Sequence, residues 1–436
     1  MKKSEFTRRR RKLLAELQDG VAIVNTNPHH HRNRDTQFPF RPDSDFYYLT
    51  GFAEPEAVAV LIPGRAEGEF VLFCRPKDPL RETWDGRRAG QAGACKDYGA
   101  DQAFDIADLD QQMPELLKDR QRIYYSIGKQ SEFDNRVMSW VNELRNQARA
   151  GVNTPSEFIT LDHLLHEHRL FKSKAEIGQM RTAGKISASA HVRAMQTCKP
   201  GMMEYQLEAE MQHEFIRNGA RWPAYNFIIG GGANGCILHY GENDQKLRDG
   251  DLVLIDAGAE YDYYAGDITR TFPINGRFSD DQRTLYNLVL DAQTAAIAEV
   301  APGNHWDQPH VAAQTVIING LLELGILQGT LEEQLESGDF KRFFMHRTGH
   351  WLGMDVHDVG DYKIDDQWRL LEPGMVTTVE PGIYIAAGSE GVDERWWDIG
   401  IRIEDDAVVT KTGCEILTAD VPKSIDDIEA LMRSNG

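Results

Sequence analysis

The sequence predicts an α+β protein of two domains, the second of which contains an internal repeat. The chain has 436 residues, which is more than one hydrophobic core usually supports. Residues 1 to about 150 alternate short helical and strand signals. After them, a helix, a Pro-Gly pair, a second helix and strands that end in a carboxylate follow one another twice. We therefore divide the chain into an N-terminal domain over residues 1–170 and a second domain over residues 171–436.

The first domain is built from short elements that alternate in an α/β manner. A basic helix is predicted around residues 8–18, and another helix near Ser131–Arg149. The predicted strands between them are Val21–Thr26, Ala57–Ile62 and Phe70–Phe73. The polar, proline-containing segment 151–158 is the best candidate for a linker to the second domain.

The second domain opens with a clear helix signal. Ser173 and Glu176 form the capping-box pattern Ser-Lys-Ala-Glu ahead of an amphipathic segment. This helix stops at the Pro-Gly pair 200–201, and a second helix follows. About a hundred residues later Ser279 begins a helix that stops at the Pro-Gly pair 302–303, and again a second helix follows. We interpret the recurrence as one internal duplication, with a functional site between the two halves.

Two copies of a strand pattern end in an acidic residue. The first copy reads Gly250-DLVLI-Asp256, and the second reads Gly374-MVTTV-Glu380. In each copy a glycine is followed by five residues suited to a buried strand, and a carboxylate stands six places after the glycine. The pattern predicts that Asp256 and Glu380 occupy equivalent places in the two halves.

Three further residues extend this pattern into a candidate metal site. Asp267 follows the first copy, Glu404 follows the second, and His350 precedes the second. Four carboxylates and an imidazole at the ends of buried strands are costly unless a cation neutralises them. Two divalent ions balance four negative charges, whereas one ion would leave about two of those charges confined in a pocket. Oxygen and nitrogen ligands without thiolate suit Mn²⁺, Co²⁺, Fe²⁺ or Zn²⁺, and a pair of such ions is a known arrangement for hydrolysis.

Four other residues near the pattern are candidates for the same site. Arg402 lies two residues before Glu404, so on a strand both face one side, and Arg402 is placed to hydrogen-bond a ligand carboxylate. His239, His346 and His357 either line the pocket and donate to an oxyanion or are core histidines with satisfied hydrogen bonds. The sequence leaves those two interpretations open.

Composition and charge exclude several classes of function. The chain has 48 Lys and Arg against 68 Asp and Glu, and the net charge of −20 argues against nucleic acid or an anionic membrane as a partner. No segment approaches the roughly 18 apolar residues of a membrane span. The five cysteines are odd in number and lack a Cys-x-x-Cys pair, which suits free thiols in the cytoplasm.

One motif has to be rejected as a decoy. The glycines of Gly230–Gly235 match G-x-G-x-x-G, and Asp256 follows about twenty residues later, as a dinucleotide-binding fold requires. However, only five residues separate Gly235 from Gly241, which is too short for the helix of that fold. Neither a P-loop nor a G-x-S-x-G motif is present, so nucleotide-phosphate and serine-hydrolase sites lack support.

Several long segments of the chain are distinctive. They are FRPDSDFYYLTGFAEPEA and WDGRRAGQ in the first domain, and NGCILHY, DGDLVLIDAGAEYDYYAGDITRTFP, HWLGMDVHDVG, LEPGMVTTVEPGIYI and GIRIEDD in the second. In these segments the chain resembles the pita-bread metallopeptidases, and among them the aminopeptidase P group, over nearly its whole length. The resemblance implies a C-terminal pita-bread domain with a pseudo-twofold repeat, as in creatinase and methionine aminopeptidase. It also implies a smaller creatinase-like α/β domain before it.

The resemblance also implies an activity and a ligand set. Members of the group use two divalent metals, for which Mn²⁺ is expected here, to remove any N-terminal residue that precedes proline. By motif, Asp256 would bind one metal, His350 and Glu380 the other, and Asp267 and Glu404 both. A hydroxide between the metals would attack the scissile carbonyl, with Glu380 assisting proton transfer.

Further residues receive roles in the same way. His239 and His357 would contact the substrate and steady the tetrahedral intermediate, and Tyr384 and Arg402 would support the metal ligands. His346 is counted with them as a candidate catalytic residue. Relatives form dimers or tetramers, so a cytoplasmic homodimer or homotetramer is expected.

The sequence departs from the group at one place and leaves several alternatives. Many relatives have H-G-x-x-H where this chain has Arg347 after His346, which leaves the substrate preference in doubt. A prolidase restricted to dipeptides, a creatinase-like enzyme without metal and a non-catalytic binding protein remain alternatives. Methionine aminopeptidase is disfavoured by the sizeable N-terminal domain, and the complete ligand set disfavours the second and third alternatives.

Overall fold

The computed structural model describes residues 1–434, and the chain forms two compact units. The first unit is Met1–His166 and the second begins at Glu167. The thirteen helices within residues 1–434 are α1 Lys3–Glu16, α2 Ser44–Thr50, α3 Pro79–Asp85, α4 Gly90–Tyr98, α5 Leu109–Leu117, α6 Ser131–Arg145, α7 Asp162–Leu170, α8 Lys174–Thr197, α9 Glu204–Arg217, α10 Asp280–Glu299, α11 Gln308–Glu323, α12 Leu331–Ser337 and α13 Ile425–Arg433. None of these helices is long and apolar enough to cross a membrane.

The strands of the same residues lie in six separate sheets. In chain order they are β1 Val21–Asn25, β2 Val58–Leu61, β3 Phe70–Cys74, β4 Gln102–Asp105, β5 Arg122–Tyr125, β6 Glu157–Thr160, β7 Trp222–Pro223, β8 Ile228–Gly231, β9 Leu252–Asp256, β10 Ala259–Tyr261, β11 Tyr264–Ala265, β12 Thr269–Pro273, β13 Lys363–Ile364, β14 Gln367–Trp368, β15 Val376–Val379, β16 Gly382–Ile385, β17 Ile399–Arg402, β18 Asp405–Val409 and β19 Cys414–Ile416. The first unit contains one sheet, and the other five belong to the second unit.

The sheet of the first unit is mixed, with strand order β4-β3-β2-β1-β5-β6. Strands β1, β2 and β3 pair antiparallel, and the outer strands pair parallel. The strands predicted at residues 21–26, 57–62 and 70–73 are present as β1, β2 and β3. Helices α5 and α6 pack their apolar side chains, such as Met113 and Trp140, against the buried strands β1 and β3. The unit is therefore an α/β domain with its own core.

The linker prediction for residues 151–158 is wrong in part. This segment runs into β6, which pairs with β5 in the register Arg122↔Glu157 to Tyr125↔Thr160. Strand β6 is a short edge strand whose residues are half-buried or exposed, so it carries no apolar alternation by which the sequence could reveal it.

The repeat predicted for the second unit is present. The pair α8 and α9 precedes β8, β9 and β12, and the pair α10 and α11 precedes β15 and β18. Ser173 and Ser279 cap α8 and α10, each in a capping box. The helices of each pair pack against each other, and one continuous core of buried side chains joins both halves.

The two glycines of the repeated strand pattern have a common conformation. Gly250 has φ of 88° and Gly374 has φ of 98°, a region that residues with a Cβ rarely adopt. Each glycine therefore turns the chain directly into a buried strand, β9 or β15. This explains why a glycine stands at the same distance from the carboxylate in both copies.

The glycine-rich segment Gly230–Gly235 is not followed by the α-helix of a dinucleotide-binding fold. After β8 the chain makes a five-residue 3₁₀ helix, Gly232–Cys236, and then a turn. Position 230 could not carry a side chain, because a Cβ there would lie 2.7 Å from the carbonyl carbon of Asn234. The glycines therefore allow close backbone packing, which agrees with the rejection of a dinucleotide site.

Candidate active site

The first half of the repeat contributes two aspartates to one cavity of about 540 Å³. Asp256 is the last residue of β9, and it pairs in register with Thr269 of the neighbouring antiparallel strand β12. Asp267 lies just before β12, and its backbone N–H donates a hydrogen bond to Asp406 Oδ2 at 3.0 Å. Both aspartates are at least nine-tenths buried and line the cavity. The antiparallel pairing therefore brings the two carboxylates together.

The second half contributes His350, Glu380 and Glu404 to the same cavity. Glu380 follows β15, and Glu404 lies between β17 and β18. His350 Nε2 lies 3.3 Å from Asp267 Oδ2 and 3.6 Å from Glu380 Oε1. One ligand atom each of Asp267, His350 and Glu404 lies within 4.8 Å of the others. The five residues predicted as metal ligands therefore face one cavity.

The two halves are joined directly beside these ligands. The Glu404 N–H donates to the carbonyl oxygen of Thr269 at 3.1 Å, and the Thr269 hydroxyl donates to Glu404 Oε2 at 2.6 Å. The Thr271 hydroxyl donates to the carbonyl oxygen of Arg402 at 3.1 Å, and the backbone N–H of Arg402 donates to the same hydroxyl at 3.2 Å. Because these contacts fix the strand ends of one half against those of the other, they set the separation of the carboxylates.

Arg402 lies beneath the site and is 3% exposed. Its guanidinium donates to Asp256 Oδ2 at 2.7 Å, to the Tyr384 hydroxyl at 2.9 Å and to the Thr269 hydroxyl at 3.0 Å. The Tyr384 hydroxyl in turn lies 2.9 Å from His346 Nε2. Arg402 therefore orients Asp256, as the spacing of Arg402 and Glu404 predicts, and Tyr384 connects it to His346.

The three histidines that the sequence left open all line the cavity, namely His239, His346 and His357. The ring of His357 packs edge-on against the ring of His350, with centroids 4.4 Å apart. Burial, with the charge of His350, lowers the pKa of His357. Burial, with the charge of Arg402, lowers the pKa of His346 to about 3. His346 and His357 are therefore held neutral beside the acidic residues, and the two ring nitrogens of His346 contact the Arg347 carbonyl oxygen and the Tyr384 hydroxyl.

Tyr225 is a site residue that the sequence did not reveal. Its hydroxyl lies 2.6 Å from Asp256 Oδ1 and 2.5 Å from Asp267 Oδ1, so it ties the two aspartates together. Burial, reinforced by the nearby carboxylates, raises the pKa of Tyr225 well above its ordinary value. The hydroxyl therefore stays protonated and donates. A single tyrosine ahead of a strand has no motif around it that could have indicated this role.

The charges of the site show what it is suited to bind. Burial, opposed by His350 and reinforced by Asp267, raises the pKa of Glu380 to about 7. Burial and the like charges of Asp267, Glu380 and Asp256 raise the pKa of Glu404 well above its ordinary value. Burial alone would lower the pKa of His350, but its hydrogen bond with Asp267 and the charge of Glu380 raise it to about 9.

These shifts have one common cause, which is that four carboxylates face one buried cavity with too little positive charge. Arg402 contacts Asp256, and the imidazole of His350 contacts Asp267. Divalent cations would supply the missing charge, and carboxylate oxygens with one imidazole nitrogen are ligands that such cations accept. The residues present therefore fit a pair of divalent metal ions.

Comparisons with protein families agree with this geometry. Residues 178–411 match the sequence model of metallopeptidase family M24, and residues 6–124 match that of the aminopeptidase P N-terminal domain. The chain is similar to the Xaa-Pro aminopeptidase of Escherichia coli, with 48% identity over 99% of this chain and 98% of the relative. It is also similar to the Xaa-Pro aminopeptidase of Haemophilus influenzae, with 45% identity over 99% of this chain and 97% of the relative.

Solved structures give the same result for the fold. Aminopeptidase PepP of Pseudomonas aeruginosa superposes with a TM-score of 0.99 at 55% identity, covering 100% of this chain and 99% of that chain. Proline aminopeptidase P II of Yersinia pestis superposes with a TM-score of 0.96 at 49% identity, covering 100% of both chains. The pita-bread fold predicted for the second domain, preceded by a smaller α/β domain, is therefore confirmed.

Proposed function

The chain belongs to metallopeptidase family M24, among the Xaa-Pro aminopeptidases, and from this premise we propose that it removes the N-terminal residue of peptides whose second residue is proline. The observation that carries the proposal is the convergence of Asp256, Asp267, His350, Glu380 and Glu404 on one cavity. Relatives that share 48% and 45% of their residues with this chain are named for the same activity.

The cofactor that we propose is a pair of divalent metal ions. We propose Mn²⁺ because the resemblance to the aminopeptidase P group implies it. Asp256 would hold one ion, His350 and Glu380 the other, while Asp267 and Glu404 would contact both. The ions would balance the buried carboxylates, lower the pKa of a water molecule and polarise the scissile carbonyl. The support for this assignment is the excess of negative charge in the cavity.

The remaining residues of the cavity would bind the substrate and move protons. Glu380 would carry the proton from the attacking water to the proline nitrogen that leaves. His239 and His357, on the cavity wall, would hydrogen-bond the peptide carbonyls. Tyr384 and Arg402 would hold Asp256 in position, and His346 would contact the substrate from its place beside Tyr384. These roles follow from the contacts of each side chain and from the family.

Three properties of the whole protein belong to the same proposal. We propose that the catalytic domain is residues 171–436 and that residues 1–170 form the N-terminal domain. The net charge of −20 supports peptides rather than nucleic acid or a membrane as partners. A homodimer or homotetramer in the cytoplasm is the assembly we propose, in keeping with the free thiols of all five cysteines.

The activity is tested with the peptide Arg-Pro-Pro in the presence of Mn²⁺, compared with the dipeptide Arg-Pro. We expect release of arginine from the tripeptide. Cleavage confined to the dipeptide would instead identify a prolidase. Turnover that chelators leave unchanged, in protein that binds no metal, would identify a creatinase-like enzyme.

The metal site is tested with the substitution Asp267→Ala. Because Asp267 contacts His350 and is proposed to bind both metals, this variant should lose detectable turnover and bound metal. The matched control is Asp291→Ala, which removes a carboxylate from the exposed face of α10. Turnover of Asp267→Ala at the rate of the control would contradict the proposed ligand set.

A further inference from the structure

We propose that Arg347 is a specificity-determining residue that binds a carboxylate on the third residue of the peptide. The proposal rests on the proposed aminopeptidase function and names a substrate feature that the function leaves open. The carboxylate is the free C-terminus of a tripeptide or the side chain of an acidic third residue, and Arg347 would bind either by the same chemistry.

The guanidinium of Arg347 is held in place at the wall of the cavity. Its central carbon lies 4.9 Å from the ring centroid of Trp306 and 5.0 Å from that of Trp368. One of its terminal nitrogens donates to the carboxylate of Asp307. Two aromatic faces and one carboxylate therefore fix the orientation of the group, which reduces the entropy that a ligand would have to overcome.

Most of the donors of Arg347 remain available to a ligand. A guanidinium has five N–H groups, and within residues 1–434 the side-chain hydrogen bond of Arg347 uses the nitrogen that faces Asp307. The side chain is 44% exposed, whereas that of Asp307 is 19% exposed. A carboxylate that enters from the cavity can therefore form a charge-assisted hydrogen bond with Arg347 while Asp307 keeps its own.

The geometry of an aminopeptidase places the third residue of the peptide near Arg347. Only one residue lies on the N-terminal side of the scissile bond, so we place that side beside Asp256 and Asp267, which are 9% and 5% exposed. The rest of the peptide would then extend toward the exposed wall of the cavity, where Arg347 lies. His346, directly before Arg347 in the chain, lies 3.8 Å from Glu380, and Arg347 lines the same cavity with its side chain 44% exposed. An extended peptide advances about 3.3 Å per residue, which brings the residue after proline within reach of a long side chain.

The positive charge of Arg347 favours binding of a peptide carboxylate. Among residues 1–434, two arginines line the cavity, Arg347 and Arg402. Arg402 is buried and already donates to Asp256, Tyr384 and Thr269. Because the chain as a whole carries −20, an anionic peptide end would otherwise be repelled. Arg347 would offset this repulsion at the exposed wall of the cavity.

The experiment compares Ala-Pro-Ala as the free acid with the same tripeptide as its C-terminal amide, and Ala-Pro-Glu-amide with Ala-Pro-Gln-amide. For the wild-type enzyme we expect kcat/KM to favour the carboxylate member of at least one pair, roughly three- to tenfold, mainly through KM. The substitution Arg347→Gln should reduce that ratio to about one, and Arg347→Lys should retain part of it. The pair in which the preference occurs identifies the source of the carboxylate.

The matched control is Arg342→Gln. Arg342 has a similar exposure of 40%, lies 3.5 Å from Asp339 and stacks on Phe343, but it does not line the cavity. This control should keep both the activity and the wild-type ratio, which separates a local contact from a change in net charge.

Two results would overturn the proposal, namely equal kcat/KM for both members of each pair in the wild type, or a preference that survives in Arg347→Gln. Failure of the proposed function would look different, because then no proline peptide would be cleaved. In that case the affinities of the acid and amide tripeptides, measured by titration calorimetry with Mn²⁺ present, still decide the role of Arg347.

Discussion

At the scale of single residues, the site depends on side chains that orient the ligands as much as on the ligands themselves. Tyr225, Thr269 and Arg402 each hold a carboxylate in one orientation through a hydrogen bond of 3.0 Å or shorter. Such partners fix the geometry of a metal site and raise the cost of any other arrangement of its ligands. Their removal should therefore weaken metal binding even though the ligands remain.

Tyr225→Phe tests this dependence. Without the hydroxyl, Asp256 and Asp267 lose their shared donor, so we expect metal affinity or kcat to fall by about 10- to 100-fold. Metal content by mass spectrometry and steady-state kinetics measure the two effects. The control Tyr205→Phe, at an exposed position on α9, should change neither quantity. If both variants behave like the wild type, the hydroxyl of Tyr225 has no role in the site.

His191 predicts a pH dependence of stability. It is fully buried, its Nε2 lies 3.0 Å from the carbonyl oxygen of Ala257, and burial lowers its pKa to about 3. In the unfolded chain the ordinary pKa is about 6.5, so the unfolded state binds the proton first as the pH falls. This group therefore stabilises the folded protein above about pH 6.5, and its contribution is lost progressively as the pH falls toward 3.

The measurement is the free energy of unfolding by urea at pH 7 and pH 5. Between pH 7 and pH 5, the free energy of unfolding of His191→Asn should fall by about 2 kcal/mol less than that of the wild type, because the asparagine side chain does not titrate. The exposed His213 provides the control, and His213→Asn should retain the wild-type pH dependence. Equal slopes for His191→Asn and the wild type would contradict the prediction.

At the scale of secondary-structure elements, a buried ion-pair network fixes the strands that carry the site. Arg270 on β12 lies 2.8 Å from Asp405 on β18, and both side chains are fully buried. Arg270 also donates to the carbonyl oxygen of Glu404 at 2.6 Å. Burial alone would raise the pKa of Asp405, but Arg270 and Lys423 outweigh it and hold the pKa below its ordinary value. The network therefore joins β12 to β18 with a charged pair that contacts Glu404, one of the proposed metal ligands.

Arg270→Met should be strongly destabilising. It leaves Asp405 buried with Lys423 as its remaining cationic partner and removes the contact with Glu404, at a cost of about 3–5 kcal/mol. The free energy of unfolding by urea measures this loss. Arg181→Met is the control, because Arg181 forms an exposed pair with Glu415 and should contribute at most about 1 kcal/mol. If both variants lose a similar free energy of unfolding, the buried Arg270–Asp405 pair stabilises the protein no more than the exposed Arg181–Glu415 pair.

At the scale of the whole molecule, the site exists only when both halves of the second unit are folded together. Asp256 and Asp267 come from one half, and His350, Glu380 and Glu404 from the other. An unfolded chain would leave these residues far apart, so the proposed metal ions would bind the folded state in preference. Metal binding should therefore stabilise the protein against heat.

Calorimetry with and without Mn²⁺ measures this stabilisation. At a free Mn²⁺ concentration about 100 times the dissociation constant, each site should add about 2.7 kcal/mol to the free energy of unfolding. Chelation with EDTA should reverse the accompanying rise in Tm. The variant Asp267→Ala should show little rise, and the exposed variant Asp291→Ala should show the full one. A Tm that does not respond to metal in the wild type would contradict binding between the halves.

Much of the architecture could be predicted because its signals are local. The capping boxes at Ser173 and Ser279, the Pro-Gly stops and the two strand patterns depend on residues close together in the chain. The strand β6 could not be predicted, because an edge strand without apolar alternation is defined by its partner β5. Local patterns reveal elements, whereas pairing partners far apart in sequence remain hidden.

Some residues of the candidate site could likewise be predicted from the sequence, whereas others could not. The sequence by itself determined that Asp256, Asp267, His350, Glu380 and Glu404 belong together, since burying so many acids at strand ends requires a cation. Only the tertiary structure decided what surrounds them. The contact of Tyr225 with two aspartates and the contact of Arg347 with two tryptophans join residues that are distant in the chain, and no spacing rule encodes such contacts. The physical reason is that folding brings side chains together through packing and hydrogen bonds, which depend on the whole core rather than on neighbouring residues.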